Sequence, residues 1–269
     1  MQYHHKLFIS LGLLLILLNC KLQAEEYGPI STSRPGASNP TTSVPSGLFQ
    51  FECGTNLYTG PGMDTTFTIP IQLRMGIYKN TELQVAYTSE YLTLGVLYGG
   101  ISFLDRFENS IILTTSMTEN IDSLTEYSAY LPISYSFNNG FSVMGQATLT
   151  IINTNDNDPV ISYFLAAGNS VDERTNWFIE AYQSRTILED NKSIELLEGL
   201  EESESEIQTD SQEANNKYPP VSIGYGITYL SSNNVQFDVS MGILFEKDDK
   251  KYKESSRFIE WGFSFRLPY

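Results

Sequence analysis

From Gly47 onward the chain alternates apolar and polar residues with a period of two, in one segment after another. Successive side chains of a strand point to opposite faces, so each such segment reads as a strand with two chemically different sides. Phe49, Phe51 and Cys53 alternate with Gln50, Glu52 and Gly54. Phe67, Ile69, Ile71, Leu73 and Met75 follow, then Leu83, Val85 and Tyr87, then Leu92 to Tyr98, then Ile111 to Met117. Tyr127 to Phe137 runs into Asn138-Asn139-Gly140 and returns as Phe141 to Ile151, the Asn-Gly hairpin signal. Val160 to Ala167 is apolar on both sides and leaves its register open. Trp177 to Ala181, Val221 to Tyr229, Val235 to Phe245 and Ile259 to Leu267 complete a predicted set of twelve strands. The fold class is all-β and antiparallel.

Two architectures accommodate such a pattern. A soluble sandwich turns its apolar faces inward and its polar faces to water, and solvated faces are rich in charge. A transmembrane up-and-down barrel turns the apolar faces to lipid and the polar faces into its lumen. Here the polar faces are mostly Gln, Ser, Thr, Gly and Asn, and charged residues are only 18% of the chain. The charges that do fall within strands, Glu52, Arg74, Glu180, Asp238, Glu260 and Arg266, sit on the non-lipid parity. They are the candidate lumen charges, able to select solutes or simply to pair across a narrow interior that side chains or the N-terminal segment could plug. Connections also alternate between short (Tyr78 to Thr81, Asn138 to Gly140, Ser231 to Asn234) and long (Tyr58 to Thr66, Thr118 to Glu126, Asn153 to Asp158, Leu188 to Lys217, Glu246 to Ser256). Only Ser89 to Tyr91 departs from that order. Short periplasmic turns and long external loops mark an outer-membrane barrel, with both termini on the short-turn side. The barrel is the preferred reading; a soluble periplasmic sandwich remains its competitor.

Residues 1–24 read as a secretory signal: Lys6, an apolar run from Leu7 to Leu18, and Ala24 at the cleavage position. Leu17-Leu18-Asn19-Cys20 also loosely resembles a lipoprotein cleavage box, with Asn19 where a small residue is expected, so Cys20 is either acylated or removed. Residues 25–46 are rich in Pro, Ser and Thr and are expected to be irregular, leaving 47–269 as the barrel. Both histidines, His4 and His5, belong to the leader. The exported chain therefore lacks imidazole for triad catalysis or metal ligation, and its single cysteine, Cys53, cannot form an internal disulfide. No enzyme activity, cofactor or metal is expected, and a hydrolase embedded in the barrel is set aside on the same ground. With 32 acids against 16 Lys and Arg, nucleic acid is not a partner either. Residues 188–217 hold ten acids against Lys192 and Lys217, in no cation-loop spacing, and read as a solvated surface loop.

Scattered over this framework are Ser33-Arg34-Pro35-Gly36, Pro45-Ser46-Gly47 with Gln50 and Glu52, and Leu73-Arg74-Met75-Gly76-Ile77 followed by Glu82-Leu83. Near the end come Gly226-Ile227-Thr228-Tyr229, Asp238, and Gly262-Phe263-Ser264-Phe265-Arg266. In order and spacing these resemble the outer-membrane proteins grouped with the meta-pathway of phenol degradation, which usually carry an acid where this chain has Ser33. The resemblance implies a twelve-stranded barrel moving small, aromatic or apolar compounds. The last strand also resembles the signal read by barrel assembly machinery, through Glu260, Gly262, Phe265 and Leu267, with Tyr269 at the end. The expected function is an outer-membrane channel or transporter whose partners are membrane lipid, the assembly machinery and an unidentified small solute. A structural or surface-contact barrel without transport is the alternative.

Overall fold

The computed structural model describes residues 27–33, 38–61, 63–89, 91–102, 104–118, 125–152, 159–186, 220–248 and 251–269. The leader with Cys20, Arg34 to Gly36, the Asn155 to Asp158 turn and the acidic 188–217 segment lie outside these residues. Thirteen strands run in chain order: β1 (Leu48–Gly60), β2 (Met63–Thr68), β3 (Ile71–Tyr78), β4 (Thr81–Tyr87), β5 (Tyr91–Ile101), β6 (Phe107–Thr118), β7 (Thr125–Ser136), β8 (Phe141–Ile152), β9 (Pro159–Ser170), β10 (Thr175–Thr186), β11 (Val221–Ser232), β12 (Val235–Asp248) and β13 (Lys251–Pro268). Each pairs antiparallel with its neighbour, and β13 pairs with β1 from Leu48↔Pro268 to Thr59↔Arg257. That last ladder closes the sheet into a barrel; among the described residues β2 pairs with β1 alone.

Thirteen segments occupy twelve positions in the wall. β2 and β3 both pair with β1, one along Asn56 to Gly60 and the other along Phe49 to Cys53. They are one strand interrupted at Ile69-Pro70, because proline has no N–H for the ladder. The Pro70 carbonyl still accepts from the Gly54 N–H at 3.1 Å. Parity survives the break: Phe67, Ile69, Ile71 and Leu73 all face outward.

Alternation translates directly into two surfaces. Leu94, Val96, Ile111, Leu113, Leu131, Ile133, Leu149, Ile179, Ile227 and Val239 are exposed on the outside. Tyr78, Phe137, Trp177, Tyr229 and Phe237 flank this band near the short turns, and Phe67, Tyr87 and Tyr127 flank it near the opposite end. An apolar band between aromatic girdles is the lipid-facing surface of an outer-membrane barrel, where this chain resides. The interior takes Gln50, Glu52, Arg74, Gln84, Ser110, Gln146, Thr148, Gln236 and Ser240, all buried. The segment whose register the sequence leaves open is also settled: Tyr163 and Leu165 face out, while Phe164 is 1% exposed inside.

Two expected long loops prove short. β1 runs on to Gly60 and β2 begins at Met63, while β12 reaches Asp248 and pairs it with Lys251 of β13. Above the lipid band both faces of a hairpin meet water, so backbone pairing continues after the apolar alternation stops. The tight β4–β5 connection lies at this same end, as the sequence suggests. At the other end, Lys79-Asn80 turns β3 into β4 with Asn80 at φ 61°, a left-handed conformation that asparagine tolerates. The N-terminal segment is irregular, yet it is packed: Ile30, Thr41 and Val44 are 5%, 6% and 3% exposed inside the barrel near its turn end.

Candidate functional site: the barrel lumen

One wall of the lumen is built around Arg74. Leu73 and Met75 face out, so the strand period turns Arg74 inward, where it is fully buried. Its Nε and Nη2 grip the two oxygens of Glu82, at 2.7 and 3.0 Å, and Nη1 reaches Glu52 at 3.0 Å. Nη1 and Nη2 also donate to the Ser31 and Thr42 carbonyls at 2.7 and 3.3 Å. All five guanidinium donors therefore have acceptors. One cation between two carboxylates leaves an excess negative charge. N–H groups of the N-terminal segment answer it: Ser33 donates to Glu52 at 3.0 Å and Val44 to Glu82 at 2.6 Å. Gln50 and Gln84 add side-chain donors at 2.8 and 2.6 Å. Bidentate geometry and full pairing are what make buried ions tolerable in a low dielectric.

The same segment is tied down elsewhere at the turn end. Ser110 donates to the Pro40 carbonyl at 2.9 Å, Asn39 N–H to Gln146 at 2.9 Å, and Gly100 N–H to the Thr41 carbonyl at 2.7 Å. Arg266 donates to Asn234 Oδ1 at 3.0 and 2.8 Å and to the Gly28 carbonyl at 2.6 Å, with the Tyr27 ring 5.8 Å from its centre. Residues 27–33 and 38–46 thus form a plug bound to the wall through backbone groups of Gly28, Ile30, Ser31, Asn39, Thr41 and Val44.

The opposite wall, from β8 to β13, is different in kind. Phe164, Phe178, Tyr182 and Phe258 point inward among glycines. A Cβ on Gly226 would lie 2.6 Å from Phe178 Cε1, and one on Gly242 would lie 2.6 Å from Phe258 Cε1. The tip of each ring therefore occupies the space beside a neighbouring glycine, close to the wall. Beside them two cavities remain. The lower, of about 240 Å³, lies between Ser38 of the plug, Gly140, Met144, Ala166, Phe178 and Glu180. The upper, of about 320 Å³, lies between Tyr58, Glu180, Tyr182, Ser222, Phe258 and Glu260. Glu180 borders both.

Of the candidate charges, Glu52 and Arg74 meet; Glu180 and Glu260 share the upper cavity; Asp238 lies on β12 and Arg266 near the end of β13. Glu260 accepts from Ser240 at 3.2 Å. Within the last strand Glu260 and Gly262 lie on the inner face and Phe265 and Leu267 on the outer. Phe265 is held between Phe51 and Phe263, with ring centroids 5.3 and 6.3 Å away. Glu82 is the residue missed as a site: it opens β4 beside a turn, yet Leu83 facing lipid places it inside. Among the described residues no group of three or more His, Cys, Asp or Glu side chains is placed to hold a metal ion.

Residues 111–267, more than half of the chain, match the model of a family described as "Putative MetA-pathway of phenol degradation". No protein of curated function matches the chain by sequence. Among solved structures, a NanC porin superposes with a TM-score of 0.55 at 11% identity, over 81% of this chain and 100% of the porin. A KdgM porin gives 0.52 at 8%, over 80% and 98%. The COG4313 outer membrane channel from Pseudomonas putida F1 gives 0.53 at 8%, over 86% and 100%. At these identities the likeness is one of fold.

Proposed function

The chain belongs to the family described as "Putative MetA-pathway of phenol degradation", and from that premise we propose that it is an outer-membrane channel for small molecules with an aromatic or apolar body. The observation that carries this reading is the pair of cavities between the described residues of the β8–β13 wall and the plug. A barrel kept only for structure or surface contact has no need of cavities of about 240 and 320 Å³ faced by aromatic rings beside a plug. An apolar cavity of about 150 Å³ accepts benzene, so each of these has room for a one-ring solute. The porins and the channel with similar barrels support the reading as analogies of fold. The inward Glu260 and Gly262 and outward Phe265 and Leu267 also suit a terminal strand engaged by assembly machinery.

Swelling of liposomes containing the folded barrel, in solutes of graded size, tests the proposal. Entry of the smallest solutes with a steep cut-off near one-ring compounds is expected. Swelling no faster than that of empty liposomes, for every solute, would leave the structural or surface-contact role.

A further inference from the structure

We propose that residues 27–33 are an internal strap across the seam where the barrel closes, holding β1 to β13 at the turn end. In an extended segment adjacent residues turn to opposite sides. Here the two sides are the two banks of the closing ladder, which runs from Leu48↔Pro268 to Thr59↔Arg257. Toward β12 and β13, the Gly28 carbonyl accepts from Arg266 at 2.6 Å and the Ile30 N–H donates to the Asn233 carbonyl at 2.9 Å. Thr32 Oγ1 accepts from Gln236 on the same bank, also at 2.9 Å. Toward β1 and β3, the Ser31 carbonyl accepts from Gln50 at 2.8 Å and from Arg74 at 2.7 Å, and the Ser33 N–H donates to Glu52 at 3.0 Å. Gly28, Ile30 and Thr32 thus hold one bank, and Ser31 and Ser33 the other.

This seam differs from the other ladders. They join strands that follow one another through a turn or loop, whereas it joins the first strand to the last, and bringing distant segments together costs more chain entropy. Parting β1 from β13 draws the two banks away from each other, so one set of strap bonds must break as well. Those bonds add to the free energy of opening the seam and not to that of a ladder residues 27–33 do not cross, such as β9–β10. The other end of the chain makes a second clasp at the same place. The Tyr269 N–H donates to the Gly47 carbonyl and its hydroxyl to the Gly76 carbonyl, each at 3.0 Å, reaching from the end of β13 past β1 to β3. On the outside, Phe51 meets Phe265 and Phe263 across the seam, with ring centroids 5.3 and 6.3 Å away.

Hydrogen–deuterium exchange on the full barrel in detergent micelles tests this. Ile30→Pro with Thr32→Val removes the bonds to Asn233 and Gln236 and leaves Ser31 and Ser33 on Arg74 and Glu52. Exchange at residues 49–53 and 263–267 should rise about tenfold, as the loss of two ordinary hydrogen bonds implies, with β9–β10 unchanged. Cys53 stands opposite Phe263 on the seam, and opposed antiparallel residues lie within disulfide range. In a Phe263→Cys background, oxidation should therefore lock the seam and abolish the rise, and reduction should restore it. Should the double variant lose heat-modifiable migration on gels, Thr32→Val alone serves, with a smaller rise at the same residues. Seam amides exchanging at the wild-type rate in the folded variant would overturn the strap, as would an equal rise in β9–β10. Fast exchange persisting behind the oxidised lock would overturn it too. The readout needs no conduction, so failure of the channel reading leaves this inference standing.

Discussion

The two walls of the lumen solve the same problem in opposite ways. The β1–β4 wall fills its interior with ions and pairs them with the plug. The β8–β13 wall presses aromatic rings onto glycines and leaves space. A buried ion cannot be left half-satisfied, so the first wall must be full. A ring needs no partner, so the second is free to be open. Ionic pairing is thus concentrated on one side of the barrel and cavities on the other.

That contrast breaks first at Arg74. Arg74→Ala leaves Glu52 and Glu82 buried without their cation, and should cost about 3–5 kcal/mol. Urea titration of the folded barrel in detergent micelles measures it; a cost under about 1 kcal/mol would mean that the plugged wall is not the stable one. Next comes the outer surface. Leu113 stands mid-β6 and 58% exposed to lipid, and Leu113→Arg should cost about 2–4 kcal/mol in a bilayer. Equal stability of that variant in bilayer and in lipid-free buffer would contradict the lipid-facing assignment.

Gly242→Ala sharpens the second wall. The new methyl collides with the Phe258 ring and the Ile223 carbonyl oxygen and should cost about 1–3 kcal/mol as overpacking. It should also push the ring into the upper cavity, so conductance should fall along with stability. Unchanged conductance would show that the ring's resting place is immaterial to passage.

The smallest effect concerns the turn between β9 and β10. Asp172 Oδ1 accepts from the Arg174 and Thr175 N–H groups at 2.8 Å each, which holds its carboxyl below the usual carboxylate range. A carboxyl lowered by folding stabilises above its unfolded pKa, about 3.9, and that contribution fades as pH falls through the folded value. Unfolding midpoints of wild type and Asp172→Asn should therefore differ at pH 5 to 7 and converge below pH 3. Parallel curves throughout would show that the turn contacts do not depend on the charge.

Much of this was legible beforehand because a strand has only two faces. Once Leu73 and Met75 are assigned to lipid, Arg74 has nowhere to go but inward, and the same holds for Glu52, Glu180, Asp238 and Glu260. Glu82 obeyed the rule too, but it stands beside a turn, where alternation has barely begun. The hairpins at 58–66 and 246–256 look like loops in the sequence because their side chains stop alternating, although their backbones go on pairing. Half of Arg74's partners were invisible for a deeper reason: Ser31 and Thr42 contribute carbonyls, which every residue has.

The amino-acid order by itself determined the wall: strand number, which side meets lipid, and which end turns tightly. Those depend on local periodicity, and local periodicity is written residue by residue. Only the closed barrel decided that the N-terminal segment lies inside, that Arg74 binds it to one side, and that Glu180 stands between two cavities on the other. Contacts across a lumen join residues far apart in the chain, and their partners follow from strand register and curvature, which no single segment encodes.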